Sequence, residues 1–358
     1  MTETIFNRST KALRTLALAA GAALLPAVPG AVAQPAAAPA TLVVATYGGQ
    51  AGAIIKDVYE GFEKQYNVSI RWAVGGSSAE NVAKIAATRE RPEYDLAFGD
   101  NMTYYTGNTQ GLWAPIDESI VTRLKDQAPQ AKFAGNDGVG YGFYLAGFLY
   151  NPAEFQKNGW AAPTRWDDLL RPELCGKIGI MHPNVMYGIH VLIGLAGGDP
   201  DKVPEAIAKL GAIRKCVQVL EPTTAKFDER IQMGAYQLSA RGSFGSIALI
   251  EKGLPLRFVV PEQGSMVSFS TVAIVKGTKN MRLAQEFVNW VLRPEVQKTI
   301  MQKSFYNPTN TTVAVTPELL KLGVPDAATL RHAVVVPERI VTERRRDWIR
   351  QLERALEK

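Results

Sequence analysis

The stretch VSFSTVAIVKGTKNMRLAQEFVNWVLRPEVQ, residues 267–297, decides how the rest of the chain is read. Val267 to Val275 is a β-branched run of strand type, and Gly277 turns the chain out of it. Asn280 stands where an N-cap belongs. Beyond it Leu283, Ala284, Phe287, Val288, Val291 and Leu292 recur at helical spacing. Arg293-Pro294 closes the helix, because a residue preceding proline avoids the helical region. The unit is a strand, a turn and a helix, and the fold depends on what that strand connects.

The chain has 358 residues, too many for one ordinary core, so two lobes are expected. Residues 1–33 have the form of a secretory signal peptide: Arg8, Lys11 and Arg14, an apolar run from Leu16 to Leu25, and the small-residue site Ala31-Val32-Ala33. That run is too short to span a bilayer. Residues 34–40 read as a disordered leader. Export predicts a periplasmic protein, in which Cys175 and Cys216 either pair or persist as two buried thiols. Those two cysteines and the three histidines, His182, His190 and His332, lack metal-ligand spacing, so neither a metal nor a cofactor is expected. The net charge of +6 is scattered. Its one basic run, Arg344-Arg345-Arg346, reads as a solvated helix face, so nucleic acid is not an expected partner.

From residue 41 the chain alternates. Thr41 to Thr46 is a strand, about 51–65 a helix, 68–74 a strand, about 79–89 a helix and 94–99 a strand. This is an α/β sheet with parallel pairing, in which ligands lie beyond the carboxyl ends of the strands. Tyr47-Gly48-Gly49, Gly75 to Ser78, and Asp100 to Tyr105 occupy those ends. Gly140 to Asn151 is a long aromatic-rich strand, after which a second α/β series runs to about residue 260. Asn307 to Asn310 is a polar turn, and about 337–357 is a C-terminal helix.

Several stretches carry a family resemblance. TRWDDLLRPELCGK, residues 164–177, is similar to a "TSWxDLxxPxxxGK" segment, and PLRFVVPEQG, residues 255–264, to "pixxvxPxeG". Residues 272–297 resemble "xAIxxgaxNxxxAxxFinflLxPevq", and Asn307 to Asn310 sits where the pattern has "gYxxpN". These are the segments of periplasmic solute-binding proteins of ABC importers, in the group containing the spermidine/putrescine-binding proteins. The resemblance implies an α/β fold of two lobes joined by two crossing strands around a central cleft. Lobe one is expected at 41–141 plus 267–307, and lobe two at 142–266 plus 308–358. It implies a non-catalytic monomer that carries a small solute to an inner-membrane permease. Trp166 belongs to the framework segment and is expected to pack beneath it.

Under this resemblance Val267 to Val275 is the second crossing strand. Ser268 and Ser270 share the face toward the cleft, while Val267 and Phe269 take the other. Polyamine binders of the group hold ammonium groups with carboxylates, one of them in that crossing strand. Here Ser270 stands at that position, and the loop MHPNVMYG, residues 181–188, holds no carboxylate. Ala240-Arg241-Gly242 replaces the group's "W-N-G" run. The expected site is Tyr47, Ser77, Ser78, Asn101, Tyr104, Tyr144, Tyr187, Arg241, Ser268 and Ser270. It has one cation and no acid, which points to a carboxylate or an amine-carboxylate. Polyamine binding and a secreted α/β enzyme are the alternatives. Arg241 reads equally as a salt-bridge residue, and Gly-Gly-Ser-Ser is more often just a turn. Tyr104 and Tyr105, read as neighbours on an extended segment, point opposite ways and do not form a paired iron site.

Overall fold

The computed structural model describes residues 40–47, 50–75, 77–331 and 333–357. The expected signal peptide, nearly all of the leader, and Gly48, Gly49, Gly76 and His332 lie outside the described residues. The first half of the chain holds β1 (Ala40–Tyr47), α1 (Gln50–Tyr66), β2 (Val68–Gly75), α2 (Ser78–Ala87), β3 (Leu96–Asp100), α3 (Asn101–Thr109), β4 (Trp113–Ala114) and β5 (Val139–Tyr150). Next come α4 (Pro152–Lys157), β6 (Ile178–Met181), α5 (Met186–Leu195), α6 (Val203–Ala212), β7 (Leu220–Glu221), α7 (Thr224–Gln232), β8 (Leu238–Gly242), α8 (Ser243–Glu251) and β9 (Arg257–Val259). The chain closes with β10 (Val267–Val275), α9 (Met281–Val291), α10 (Pro294–Ser304), β11 (Asn307–Pro308), α11 (Pro317–Lys321), α12 (Ala327–Arg331) and α13 (Glu338–Glu357).

The strands run in the order β2-β1-β3-β10-β5-β8-β6-β7, with β4 on β10 and β9 and β11 on β5. The flanks are parallel: β1 with β2 and β3, β6 with β7 and β8. The centre is antiparallel, because β10 runs against both β3 and β5. All nine residues of β10 are buried, as a central strand covered on both faces requires. β5 is unusually long at 12 residues. Its first half pairs with β10 and its second half with β8 and β9.

Apolar packing follows this division. One core joins β1, β3, α1, the start of β5, the end of β10 and α9. Phe287 of α9 stacks on Tyr59 of α1 at 4.7 Å and meets Phe62 edge-on at 5.1 Å. Each such buried ring contributes about 1.5–3 kcal/mol. The other core joins the end of β5, β6, α5, α6, β8 and α13. Trp166 packs there as expected, with its indole N–H on the Gly264 carbonyl at 3.0 Å. Cys175 and Cys216 form a disulfide.

Three local readings change. The Asn101–Thr109 segment is a helix, not an extended run, because Asp100 and Thr103 form a capping box at its start. Asn280 does not cap α9 with its side chain; its amide instead donates to Asp95 and to the Thr41 carbonyl, tying the helix to β1. The Asn307–Asn310 run is buried rather than a surface turn, and Thr309 bonds Gln127 and the Gly140 carbonyl, both at 2.8 Å. The chain then passes β10 once more: Val334 N–H donates to the Ser265 carbonyl and its carbonyl accepts from Val267 N–H. From there α13 settles on the second core through Val341, Trp348 and Leu352.

Candidate functional site

Beyond the ends of β3 and β8, and beside the middle of β5 and β10, lies a cavity of about 280 Å³. Ser77 and Ser78 reach it from the start of α2, Tyr187 from α5, Tyr144 from β5 and Ser270 from β10. These five were expected from the sequence. Gly99, Asp100, Phe244, Phe269 and Tyr306 complete the wall; none is among the ten expected site residues, although Asp100 opens one of the segments expected at a strand end.

Among the described residues, Asp100 is the only formally charged side chain on that wall. Its Oδ1 accepts the Thr103 N–H at 2.9 Å as the N-cap of α3. Its Oδ2 accepts the Ser78 hydroxyl at 3.3 Å. The cap therefore commits one carboxylate oxygen and leaves the other lightly held. Around it stands a cluster of rings. Tyr144 meets Tyr187 edge-on at 5.9 Å and Phe244 at 5.1 Å, while Phe244 stacks on Tyr306 at 4.7 Å. Burial pushes Tyr187 up to about 12 and Tyr144 well above the ordinary phenol range, so both hydroxyls are neutral at physiological pH.

Helix starts also converge here. Ser77 caps α2 and Asp100 caps α3, Tyr187 sits in the first turn of α5, and Phe244 in the first turn of α8. The positive ends of helix dipoles favour negative charge. Neither α5 nor α8 receives a side-chain cap; the Gly188 N–H in the first turn of α5 donates to the Val185 carbonyl at 3.0 Å. One wall thus suits a cation and another suits an anion.

The remaining expected residues lie elsewhere. Asn101 is buried and accepts the Phe269 N–H at 3.0 Å, bracing β10 rather than facing the cavity. Tyr104 stacks on Phe133 at 4.3 Å and donates to Asp137. Ser268 is buried against His190 Nε2 at 3.2 Å. His190 is pushed down to about 3 by burial and is neutral, and its Nδ1 finds no partner among the described residues. The side chain of Tyr47 lies outside the described residues. Arg241 is 4% exposed and donates through both terminal nitrogens to Asp228, at 3.0 Å for Nη2–Oδ2. It lines a separate cavity of about 170 Å³ with Lys252 and Lys303, behind the Phe244–Tyr306 pair. Its fork is occupied by the protein's own carboxylate.

Among the described residues no helix is long and apolar enough to cross a membrane, and no cluster of three metal-ligating side chains occurs. The family model described as bacterial extracellular solute-binding protein matches residues 57–323. The gamma-aminobutyric acid-binding protein of Pseudomonas aeruginosa is 26% identical over 304 residues, spanning 80% of this chain and 82% of its own. The spermidine/putrescine-binding periplasmic protein of Escherichia coli is 23% identical over 295 residues, spanning 76% and 80%. Among solved structures, a spermidine/putrescine ABC transporter substrate-binding protein from Streptococcus pneumoniae matches with a TM-score of 0.75 at 20% identity, over 88% of this chain and 99% of that one. At that identity the likeness shows the fold, a two-lobed α/β architecture.

Proposed function

Because the chain belongs to the bacterial extracellular solute-binding protein family, we propose that it captures a short amine-carboxylate in the cavity beside Asp100 and hands it to an ABC permease. The observation that carries this reading is a single carboxylate set among aromatic rings, opposite helix starts that lack side-chain caps. An ammonium placed at Asp100 Oδ2 and on the ring faces is paired and desolvated favourably. A carboxylate at the first turns of α5 and α8 meets N–H groups and favourable dipoles. A diamine would instead bring its second ammonium against those positive helix ends, with no second carboxylate to receive it. The cavity is near the low end of small-ligand sites, which run from about 300 Å³ upward. That favours an ω-amino acid of a few carbons over a long polyamine, and it agrees with the gamma-aminobutyric acid-binding relative.

In this reading β5 and β10 are the crossings between lobe one, 41–141 plus 267–307, and lobe two, 142–266 plus 308–358. The separation of the two apolar cores on either side of them supports the division. Closure is a hinge motion, the protein acts as an exported periplasmic monomer, and no covalent chemistry is involved.

Calorimetric titration of the mature chain with ω-amino acids, putrescine and spermidine tests the reading. The expected result is tight binding of an ω-amino acid, weak binding of both polyamines, and recovery of the solute unchanged. Tighter binding of putrescine than of every ω-amino acid overturns the solute class. Turnover of a bound solute overturns the transport role.

A further inference from the structure

Arg345 lies in the middle of α13, in the basic run that reads as a solvated face, yet it is not free on the surface. Its Nε donates to the Pro183 carbonyl at 2.9 Å, and its Nη1 lies 3.6 Å from the Met102 sulfur in the first turn of α3. Pro183 belongs to the loop between β6 and α5, and Met102 follows Asp100 by two residues. The guanidinium is thereby fixed behind the N-cap of α3 without lining the cavity. α13 is itself packed on the second core through Val341, Trp348 and Leu352, which holds the backbone that carries Arg345. Arg345 and Glu338 both feel the charge of Asp100. Glu338 is neutral near pH 7, because burial and Asp100 push its carboxyl up to about 8. The local balance is one anion facing the solute, one fixed cation behind it, and a neutral acid.

We propose that Arg345 is a specificity-determining residue of the solute site: it offsets the charge of Asp100 from behind and so restricts the cavity to solutes carrying a single ammonium. This rests on the amine-carboxylate reading and deepens it. Asp100 alone would present a net charge of about −1, which rewards each added positive charge on the solute; Asp100 with Arg345 presents about zero, which matches a zwitterion. Guanidinium stays protonated throughout the physiological range, so the offset is permanent.

The test compares wild type with Arg345→Gln, Arg345→Met and Arg345→Lys, measuring the dissociation constants of 4-aminobutanoate and putrescine in the same buffer at low and high salt. Loss of the cation should shift the ratio of the two toward putrescine on the order of tenfold, less at high salt, in both neutral variants. Arg345→Lys should keep the wild-type ratio. A variant that weakens both solutes equally, or a ratio that does not follow the charge at position 345, overturns the proposal. The preference of the wild-type protein is a separate result. It decides the solute class, whereas the dependence of the ratio on residue 345 decides this inference.

Discussion

Asp100→Asn separates the two tasks of one carboxylate. In the cap, Oδ1 accepts the Thr103 N–H at 2.9 Å, and asparagine performs that role about as well as aspartate. The fold should therefore lose little, roughly 0.3–1 kcal/mol for removing negative charge from the start of α3. Because the cap demands an acceptor, the amide oxygen must stay on Thr103, which turns Nδ2 toward Ser78 and the cavity. A donor then faces the solute ammonium where an anion stood. A hydrogen bond to a charged group is worth about 1.5–3 kcal/mol, so a loss of about 2–3 kcal/mol corresponds to roughly 30- to 150-fold weaker binding. Asp100→Ala should lose the same binding and also the cap, about 1 kcal/mol, which lowers the Tm of solute-free protein by about 2 °C. Calorimetry on all three proteins, with thermal melts in the absence of solute, measures both effects. Binding of an ω-amino acid by Asp100→Asn within threefold of the parent would refute the placement of the ammonium at Asp100.

Two further outcomes follow from features away from the cavity. The Cys175–Cys216 bond closes a loop with a sequence separation of 41, so its removal in a Cys175→Ala, Cys216→Ala double variant should cost about 4 kcal/mol of stability in urea titration; a loss below about 1 kcal/mol would show that the unfolded chain gains nothing from the missing link. Glu338 is pushed from 4.5 up to about 8 in the folded chain, so folding takes up a proton between those values. Its contribution is fully present below the lower value and is lost as pH rises through the higher one. At about 1.4 kcal/mol per pH unit the upper limit is roughly 5 kcal/mol, reduced by residual solvent access. Glu338→Gln should match the parent near about pH 4 and exceed it near about pH 9, and parallel stability profiles would contradict this.

The crossing strand was legible because β10 is unbroken in β-branched and apolar residues and is followed by a turn and a strongly periodic helix, features that need no partner to be recognised. α3 was less so. Asn101–Thr109 has little apolar periodicity, and the helix depends on the reciprocal Asp100–Thr103 bonds, visible in the sequence only as an acid three residues ahead of a threonine. That same pattern is the sequence's sign of Asp100, an acid that lies in neither the crossing strand nor the loop after β6. Arg241 illustrates a different limit. Its partner Asp228 lies 13 residues earlier on a helix, and the pairing exists only once α7 and β8 have docked. Phe244 and Tyr306 come from α8 and from the turn after α10, so no local pattern announces that their rings stack.

The return of the chain past β10 at Val334 has a mechanical consequence. Two parallel ties can bend and also twist about their common axis. A third segment, bonded in both directions to Ser265 and Val267, would add a constraint on twisting if the cleft opens about β5 and β10 as proposed. In the proposed hinge, the opening of the cleft would then be confined to a single swing, so the two walls of the cavity meet in the same register at every closure. Asp100 and the uncapped starts of α5 and α8 would come together at a fixed separation, making the distance between the two ends of the solute a property of the hinge as much as of the pocket.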